Sequence, residues 1–508
     1  MNINKIHRRI LFGVLSALTV LVYYPVLFSY FVTDDLRLIY ISSPLSTNNV
    51  LDFFTSSGGF FAGFYRPLVR LAFFIDYSIY HLNPTGFHIT NLLFHIANTI
   101  MVFYFTRNLS GSETGGGVAA SIFAVQPLHT EAVSWISGRS DLIFSFFYLL
   151  AFLSFLRCIS GKGTKRFYLA LSSFFFILSL LSKEAAITLP AILFLAEYFF
   201  KRRESGNSRY RVKLWKYIPF VLICMGYLIL KVFIIKGRIY HSEIGIMTLL
   251  RTGYSFFQLF APINIDTFNL RNMSGFILNS VIVMNLAVLL LAYLYYSLNK
   301  KRAIPFLTYC ALWICITSFP LYFDSGVRFL YIASVASSMI MGFVLAETLY
   351  GVKKQSPGLL KVLLSLLFIS IILTSSIRIL HRNKLYNYAG NIADGILTQL
   401  KNKYQVFPKG SSLYFINFPH DWVRDSELWV KPIPNMGMAV QVKYGDTSLI
   451  VHSERKALST IEEKLQFLER NYLKKYIKEG RHCYVFEYQD SHITESTEMF
   501  RGRLGHDF

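Results

Sequence analysis

Residues 5–35 read KIHRRILFGVLSALTVLVYYPVLFSYFVTDD. Lys5, Arg8 and Arg9 precede an apolar run from Ile10 to Phe31, and two adjacent carboxylates, Asp34 and Asp35, follow it. The run is too long for a signal-peptide core and has no small-residue cleavage site. It is long enough to cross a hydrocarbon layer of about 30 Å, and the basic cluster in front of it predicts a cytoplasmic N-terminus.

The same pattern repeats along the chain. Apolar runs lie near 88–106, 116–128, 141–157, 167–182, 185–200, 217–235, 276–297, 304–321, 329–350 and 358–377, so eleven spans are expected, with the C-terminus outside. The segments on the predicted inner side carry 21 Lys and Arg, and the outer loops before residue 378 carry ten. That asymmetry is what the positive-inside rule requires.

Composition agrees. Of 508 residues, 53% are apolar, 17% aromatic and 16% charged, against about 25% charged in soluble domains. A soluble enzyme, a disordered chain and a disulfide scaffold are excluded, the last because there are only 5 Cys. The net charge of +22 sits mainly before residue 378, where 32 basic residues face 14 acidic ones in short clusters between apolar runs. Such clusters are loop charges, so no nucleic-acid partner is expected. From Arg378 onward polar helical stretches (384–400, 461–478) alternate with strand-like runs (412–418, 439–442, 448–452, 483–488). The reading is an α-helical polytopic membrane domain over 1–380 and a small α+β extracytoplasmic domain over 381–508. The setting is the plasma (inner) membrane, or the endoplasmic reticulum in a eukaryote.

Ionisable residues near membrane spans are functional candidates, because burying them is costly. Here they gather at the predicted outer face: Asp34 and Asp35, Arg66 and Arg70, His129, Glu131, Arg139 and Asp141, Lys183 and Glu184, Asp324 and Arg328. Carboxylates, histidines and cations together suit a reaction on an anionic lipid-borne donor, which needs a base for the acceptor and positive charge for a phosphate leaving group. A transporter or flippase of lipid-linked sugars is the alternative, but it would more often carry its charges near the midplane in inverted repeats. Asp34 and Asp35 lie in an apolar loop, which suits a carboxylate acting as general base, although plain solvated loop residues would read the same. His129 and Glu131 could supply two ligands to a divalent metal, or hydrogen-bond their neighbours; no metal is required by the expected chemistry. His88, Asn91, His95 and Asn98 form one polar stripe along the second span, suited to interhelical hydrogen bonding or to lining a substrate cavity.

Several segments carry a family resemblance: Phe31-Val-Thr-Asp34-Asp35, Tyr65-Arg66-Pro67-Leu68, Asn83-Pro84 through Gly86-Phe87-His88 to Asn91 and His95, Pro127-Leu-His129-Thr-Glu131 through Trp135 to Gly138-Arg139-x-Asp141, Leu181-Ser182-Lys183-Glu184, and Arg328-Phe-Leu-Tyr331. In this order, over about residues 10–390, the chain resembles the membrane half of the transmembrane and tetratricopeptide-repeat O-mannosyltransferases and their bacterial relatives, within the GT-C class of polyprenyl-phosphate-sugar glycosyltransferases. The resemblance implies a GT-C-like membrane domain that transfers a sugar, mannose or another hexose, from a polyprenyl-phosphate donor to an acceptor hydroxyl on a protein, glycan or glycolipid, with inversion. It also implies a catalytic carboxylate in the first outer loop, at Asp34 with Asp35 orienting or replacing it. Arg66, Arg139, Lys183 and Arg328 become candidates for the carrier phosphate, with His88, His129, Glu131 and Glu184 lining the substrate. Two departures stand out. Val327 occupies a position that is commonly acidic in the family, and residues 381–508 stand where the relatives have their repeats. That domain is expected to handle the acceptor and to take no part in the chemistry.

Overall fold

The computed structural model describes residues 3–47, 49–55, 64–160, 164–201, 212–235, 257–260, 283, 304–318, 327–355, 358–417, 423–424, 429–433, 435–453, 458–471, 473–489 and 492–504. The expected run 276–297 and Asp324 therefore lie outside the described residues, apart from residue 283. The chain forms two compact units: Met1–Tyr24 with Ser56–Val69 and Ile89–Asn383, and Pro25–Thr55 with Arg70–His88 and Lys384–Phe508.

The protein is a mostly helical, multi-pass membrane protein. Among the described residues five helical segments are long and apolar enough to cross a bilayer: Ile6–Phe28, Pro84–Ser110, Ile136–Ser160, Leu214–Lys231 and Lys361–Lys403. The run 116–128 forms the twelve-residue helix Glu113–Ala124, which at 1.5 Å per residue extends about 18 Å. The run 185–200 is not a plain helix. A 3-10 turn, Glu184–Thr188, precedes Leu189–Ala196, and a π turn, Glu197–Lys201, follows. The buried Glu197 carboxylate there accepts from Lys216 Nζ at 2.6 Å and from Tyr217 Oη at 2.8 Å.

In the first unit, aromatic and small residues set the packing. Trp313 is buried beside Phe105, Tyr148 and Phe152, and its Nε1 donates to the Ile332 carbonyl at 2.9 Å. Helix Ala333–Gln355 runs against Glu113–Ala124 so closely that a Cβ at Gly342 would stand 2.6 Å from the Ala119 nitrogen. Small residues permit that approach where larger ones would hold the backbones apart.

In the second unit a four-stranded sheet has the order β4-β1-β5-β6, with β1 Ser412–Ile416, β4 Ile450–Ser453, β5 Cys483–Gln489 and β6 His492–Glu495; β2 Val423–Arg424 and β3 Trp429–Val430 form a separate pair. β1 is parallel to both β4 and β5, and parallel neighbours require crossovers. Helices Met436–Tyr444, Ile461–Arg470 and Leu473–Lys478 lie in those crossovers. The expected strand 439–442 is thus a helix. Asn435 caps it by accepting from the Met438 N–H, and Gly445 ends it at φ 65°, so end signals outweigh the β-branched content of Ala-Val-Gln-Val. The single helix expected over 461–478 is two, the first opened by a Thr460/Glu463 capping box and ended at Asn471. Helix Gly358–Lys403 is continuous across residue 380.

Candidate active site

The Asp34–Asp35 loop lies in the second unit. Phe31 is buried edge-on against Phe87 at 5.4 Å, and Thr33 takes φ +52°, rare for a β-branched residue. Helix Asp35–Ser42 begins directly after Asp34. Asp35 is 1% exposed, and its Oδ2 accepts from the Val32 N–H at 2.9 Å, so this carboxylate closes the turn that carries it. Asp34 is half-buried. Arg70 braces the far end of the helix, donating from Nη2 to the Ile41 carbonyl at 2.7 Å and lying over the Phe53 ring. His88 packs into the same unit, donating from Nε2 to the Ser29 carbonyl at 3.2 Å.

Among the ion pairs of the first unit, three involve expected site residues. Arg66 grips Glu184 with two bonds, Nε to Oε2 at 3.1 Å and Nη2 to Oε1 at 2.6 Å. Lys183 Nζ meets Asp141 Oδ1 at 2.5 Å, with the two side chains 2% and 1% exposed. Arg328 donates from Nη1 to Glu131 Oε1 at 3.0 Å. Phe329 lies between two of the cations, with Lys183 Nζ 4.3 Å and the Arg328 guanidinium 5.1 Å from its ring centre; Arg328 also faces Trp135. Burial pushes the Lys183 ammonium below its ordinary pKa, Asp141 opposes this, and the charges of Arg66 and Arg328 add to it. The three cations thus share one electrostatic neighbourhood. Burial pushes the Glu184 carboxyl up, but Arg66, by charge and hydrogen bond, and then Lys183 outweigh it and hold it at about 2.

The stretch Pro127–Asp141, which brings Glu131 and Asp141 to this place, is fixed by the polar stripe. Asn91 Nδ2 donates to the Val133 and Trp135 carbonyls at 3.2 Å each, and its Oδ1 accepts from Arg139 Nε at 3.1 Å. His95 donates from Nε2 to the Ala124 carbonyl, and its Nδ1 shares a hydrogen bond with Tyr331 Oη at 2.7 Å; Asn98 Nδ2 also reaches that hydroxyl. Ser334 gives its proton to the Tyr331 carbonyl, so His129 Nε2 donates to Ser334 Oγ at 2.7 Å. A Cβ on Gly138 would stand 2.5 Å from the Glu131 carbonyl oxygen, so the turn needs glycine.

Of the expected site residues, the structure brings together Arg66, Glu131, Lys183, Glu184 and Arg328, with Asp141 as a sixth member. Arg139, wholly buried, holds Asn91, and His129 holds Ser334. Phe329, Trp135, Tyr331 and Thr33 all lie in the family-like segments, but none was singled out as a site residue, because neither charge nor spacing marks them. Both Glu131 oxygens face Arg328, one taking the side chain and the other the backbone N–H at 3.4 Å. Among the described residues no three His, Cys, Asp or Glu side chains are grouped to hold a metal.

The fold has counterparts among solved structures. The oligosaccharyltransferase AglB of Archaeoglobus fulgidus, solved in complex with an inhibitory peptide and a dolichol-phosphate, superposes with a TM-score of 0.50 over 95% of this chain and 69% of its own, at 12% identity. The same organism's oligosaccharyltransferase in complex with Zn and sulfate gives 0.51 over 94% and 67%, at 11% identity. Identity this low speaks to the fold alone, which this chain shares with these oligosaccharyltransferases. No family model matches the chain. Among curated proteins, protein O-mannosyl-transferase Tmtc2 of Drosophila melanogaster is 33% identical over 257 residues, 47% of this chain and 27% of its own. Protein O-mannosyl-transferase TMTC3 of Homo sapiens is 33% identical over 210 residues, 39% and 22%. The chain spans about a quarter of the length of the curated relatives it matches, and its resemblance to their family holds over that part.

Proposed function

We propose that the protein is a glycosyltransferase that moves a sugar, mannose or another hexose, from a polyprenyl-phosphate carrier to an acceptor hydroxyl on the extracytoplasmic face. The observation that carries this reading is the cluster of Arg66, Lys183 and Arg328. Arg66 and Arg328 are partly open, with side chains 13% and 24% exposed, and the third cation, Lys183, is buried. A phosphate can take bidentate bonds from such guanidiniums and be stabilised as it leaves. Asp34 accepts the proton of the acceptor hydroxyl as its oxygen attacks the anomeric carbon; the bond from that carbon to phosphate breaks, and polyprenyl phosphate departs with the electron pair. A single displacement inverts the anomeric centre.

Because Glu131 and His129 already serve Arg328 and Ser334, the mechanism is proposed to run without a metal. Purified protein given polyprenyl-phosphate mannose and a hydroxyl acceptor should release polyprenyl phosphate at an undiminished rate in EDTA. Loss of transfer in EDTA with recovery on adding Mn²⁺ or Mg²⁺ would put a metal in the site. Transbilayer movement of intact donor without cleavage would point to a flippase instead.

The proposed topology has eleven crossings, the N-terminus inside and the domain from Arg378 outside. A C-terminal alkaline phosphatase fusion should be active and a C-terminal reporter of cytoplasmic location dark. The opposite pattern would remove a crossing, with the short helix Glu113–Ala124 the first to go.

A further inference from the structure

We propose that the C-terminal domain positions the catalytic loop, with the Lys431 carbonyl as the fixed point; this rests on Asp34 acting as the base. The Thr33 N–H donates to that carbonyl at 2.8 Å, and Thr33 Oγ1 lies 3.4 Å from it, across 398 positions of sequence. Thr33 is also the residue held at φ +52°, directly before Asp34. A β-branched residue stays in that region only where its surroundings hold it there. Lys431 is suited to be the anchor. It follows β3 and precedes Pro432, and a residue before proline is confined to extended conformations, which fixes where its carbonyl points.

Neighbouring contacts within the same unit grip the rest of the loop. Helix Gly358–Lys403 approaches it at Gly390, where a Cβ would stand 2.8 Å from the Tyr30 nitrogen. Lys443 Nζ lies 5.4 Å from the Tyr30 ring centre and pairs with Asp394 at 4.0 Å. Helix Met436–Tyr444, which carries Lys443, packs along helix Asp35–Ser42. The loop and residues 384–508 form one compact unit, so a positioning role is added to the acceptor handling expected of that domain. The C-terminal domain holds the base in place.

The test uses full-length variants and a kcat-against-KM split for donor and acceptor. Thr33→Pro cannot adopt a positive φ and has no N–H, so kcat should fall about 100-fold, the size expected for a catalytic group displaced by about 1 Å, with donor KM unchanged. Thr33→Asn keeps the N–H and tolerates the left-handed region, so it should rescue kcat to within about threefold of wild type. Pro432→Gly, which frees the Lys431 carbonyl without touching the loop, should lower kcat about tenfold and decides the matter should Thr33→Pro fail to insert. Wild-type kcat in both Thr33→Pro and Pro432→Gly, or a change confined to acceptor KM, overturns the positioning role. Full transfer by Asp34→Asn overturns the base assignment, so the two failures are distinguishable.

Discussion

Replacing Asp34 by Asn is expected to lower sugar transfer by about 10²- to 10⁴-fold, the usual effect of removing a general base, while the protein is inserted and folded as before. Asn has nearly the shape of Asp and can still occupy the position before helix Asp35–Ser42, so the loss isolates the proton-accepting role. Asp35→Asn should be impaired less. Its Oδ2 accepts from the Val32 N–H, and an amide oxygen can keep that bond, whereas the charge that strengthens it beside a helix N-terminus is gone. The measurement is single-turnover release of polyprenyl phosphate at saturating donor, with thermal unfolding in detergent as the control. Turnover by Asp34→Asn near the wild-type rate would remove it from the chemistry. A larger loss in Asp35→Asn than in Asp34→Asn would exchange their roles.

What the sequence made visible was what depends on local pattern. Apolar length marks the helices at Ile6–Phe28, Pro84–Ser110 and Ile136–Ser160, because a bilayer imposes a minimum length whatever the partners. The alignment of His88, Asn91, His95 and Asn98 on one helical face follows from a period of 3.6, and the structure assigns that face to hydrogen bonding between segments. What stayed hidden was long-range pairing. Arg66 and Glu184 stand 118 residues apart and Arg328 and Glu131 197 apart, and no periodicity encodes which cation meets which carboxylate. The clustering of charge between apolar runs could be read, but its neutralisation in pairs could not. The strand expected at 439–442 shows a local conflict, in which β-branched residues lost to an Asn cap and a left-handed Gly. Composition changes near residue 380, and the compact units also change over between Asn383 and Lys384, while one helix runs unbroken on to Lys403. The positive φ of Thr33 had no signal at all, since Gly or Asn would be the residue to expect in that conformation.

The second large effect is expected at Lys183 and Asp141, and it separates folding from chemistry. Both side chains are almost wholly buried, so Lys183→Met would leave the Asp141 carboxylate in a poorly solvated setting without its cation. Removing one partner of such a pair costs about 3–5 kcal/mol. Asp141→Leu should destabilise similarly, by leaving the buried ammonium without its carboxylate beside the Phe144 and Phe329 rings. The double variant Lys183→Met/Asp141→Leu removes both charges together, and apolar replacement of a buried pair is often neutral or stabilising. Its unfolding temperature should therefore return most of the way to wild type. Transfer should not return with it if Lys183 serves the phosphate as proposed, because loss of one such preorganised charge typically costs about 10²- to 10³-fold in rate. Thermal unfolding and single-turnover donor cleavage on the two single variants and the double give a complete cycle. If stability and transfer recover together in the double variant, Lys183 is a packing residue and the phosphate site reduces to Arg66 and Arg328.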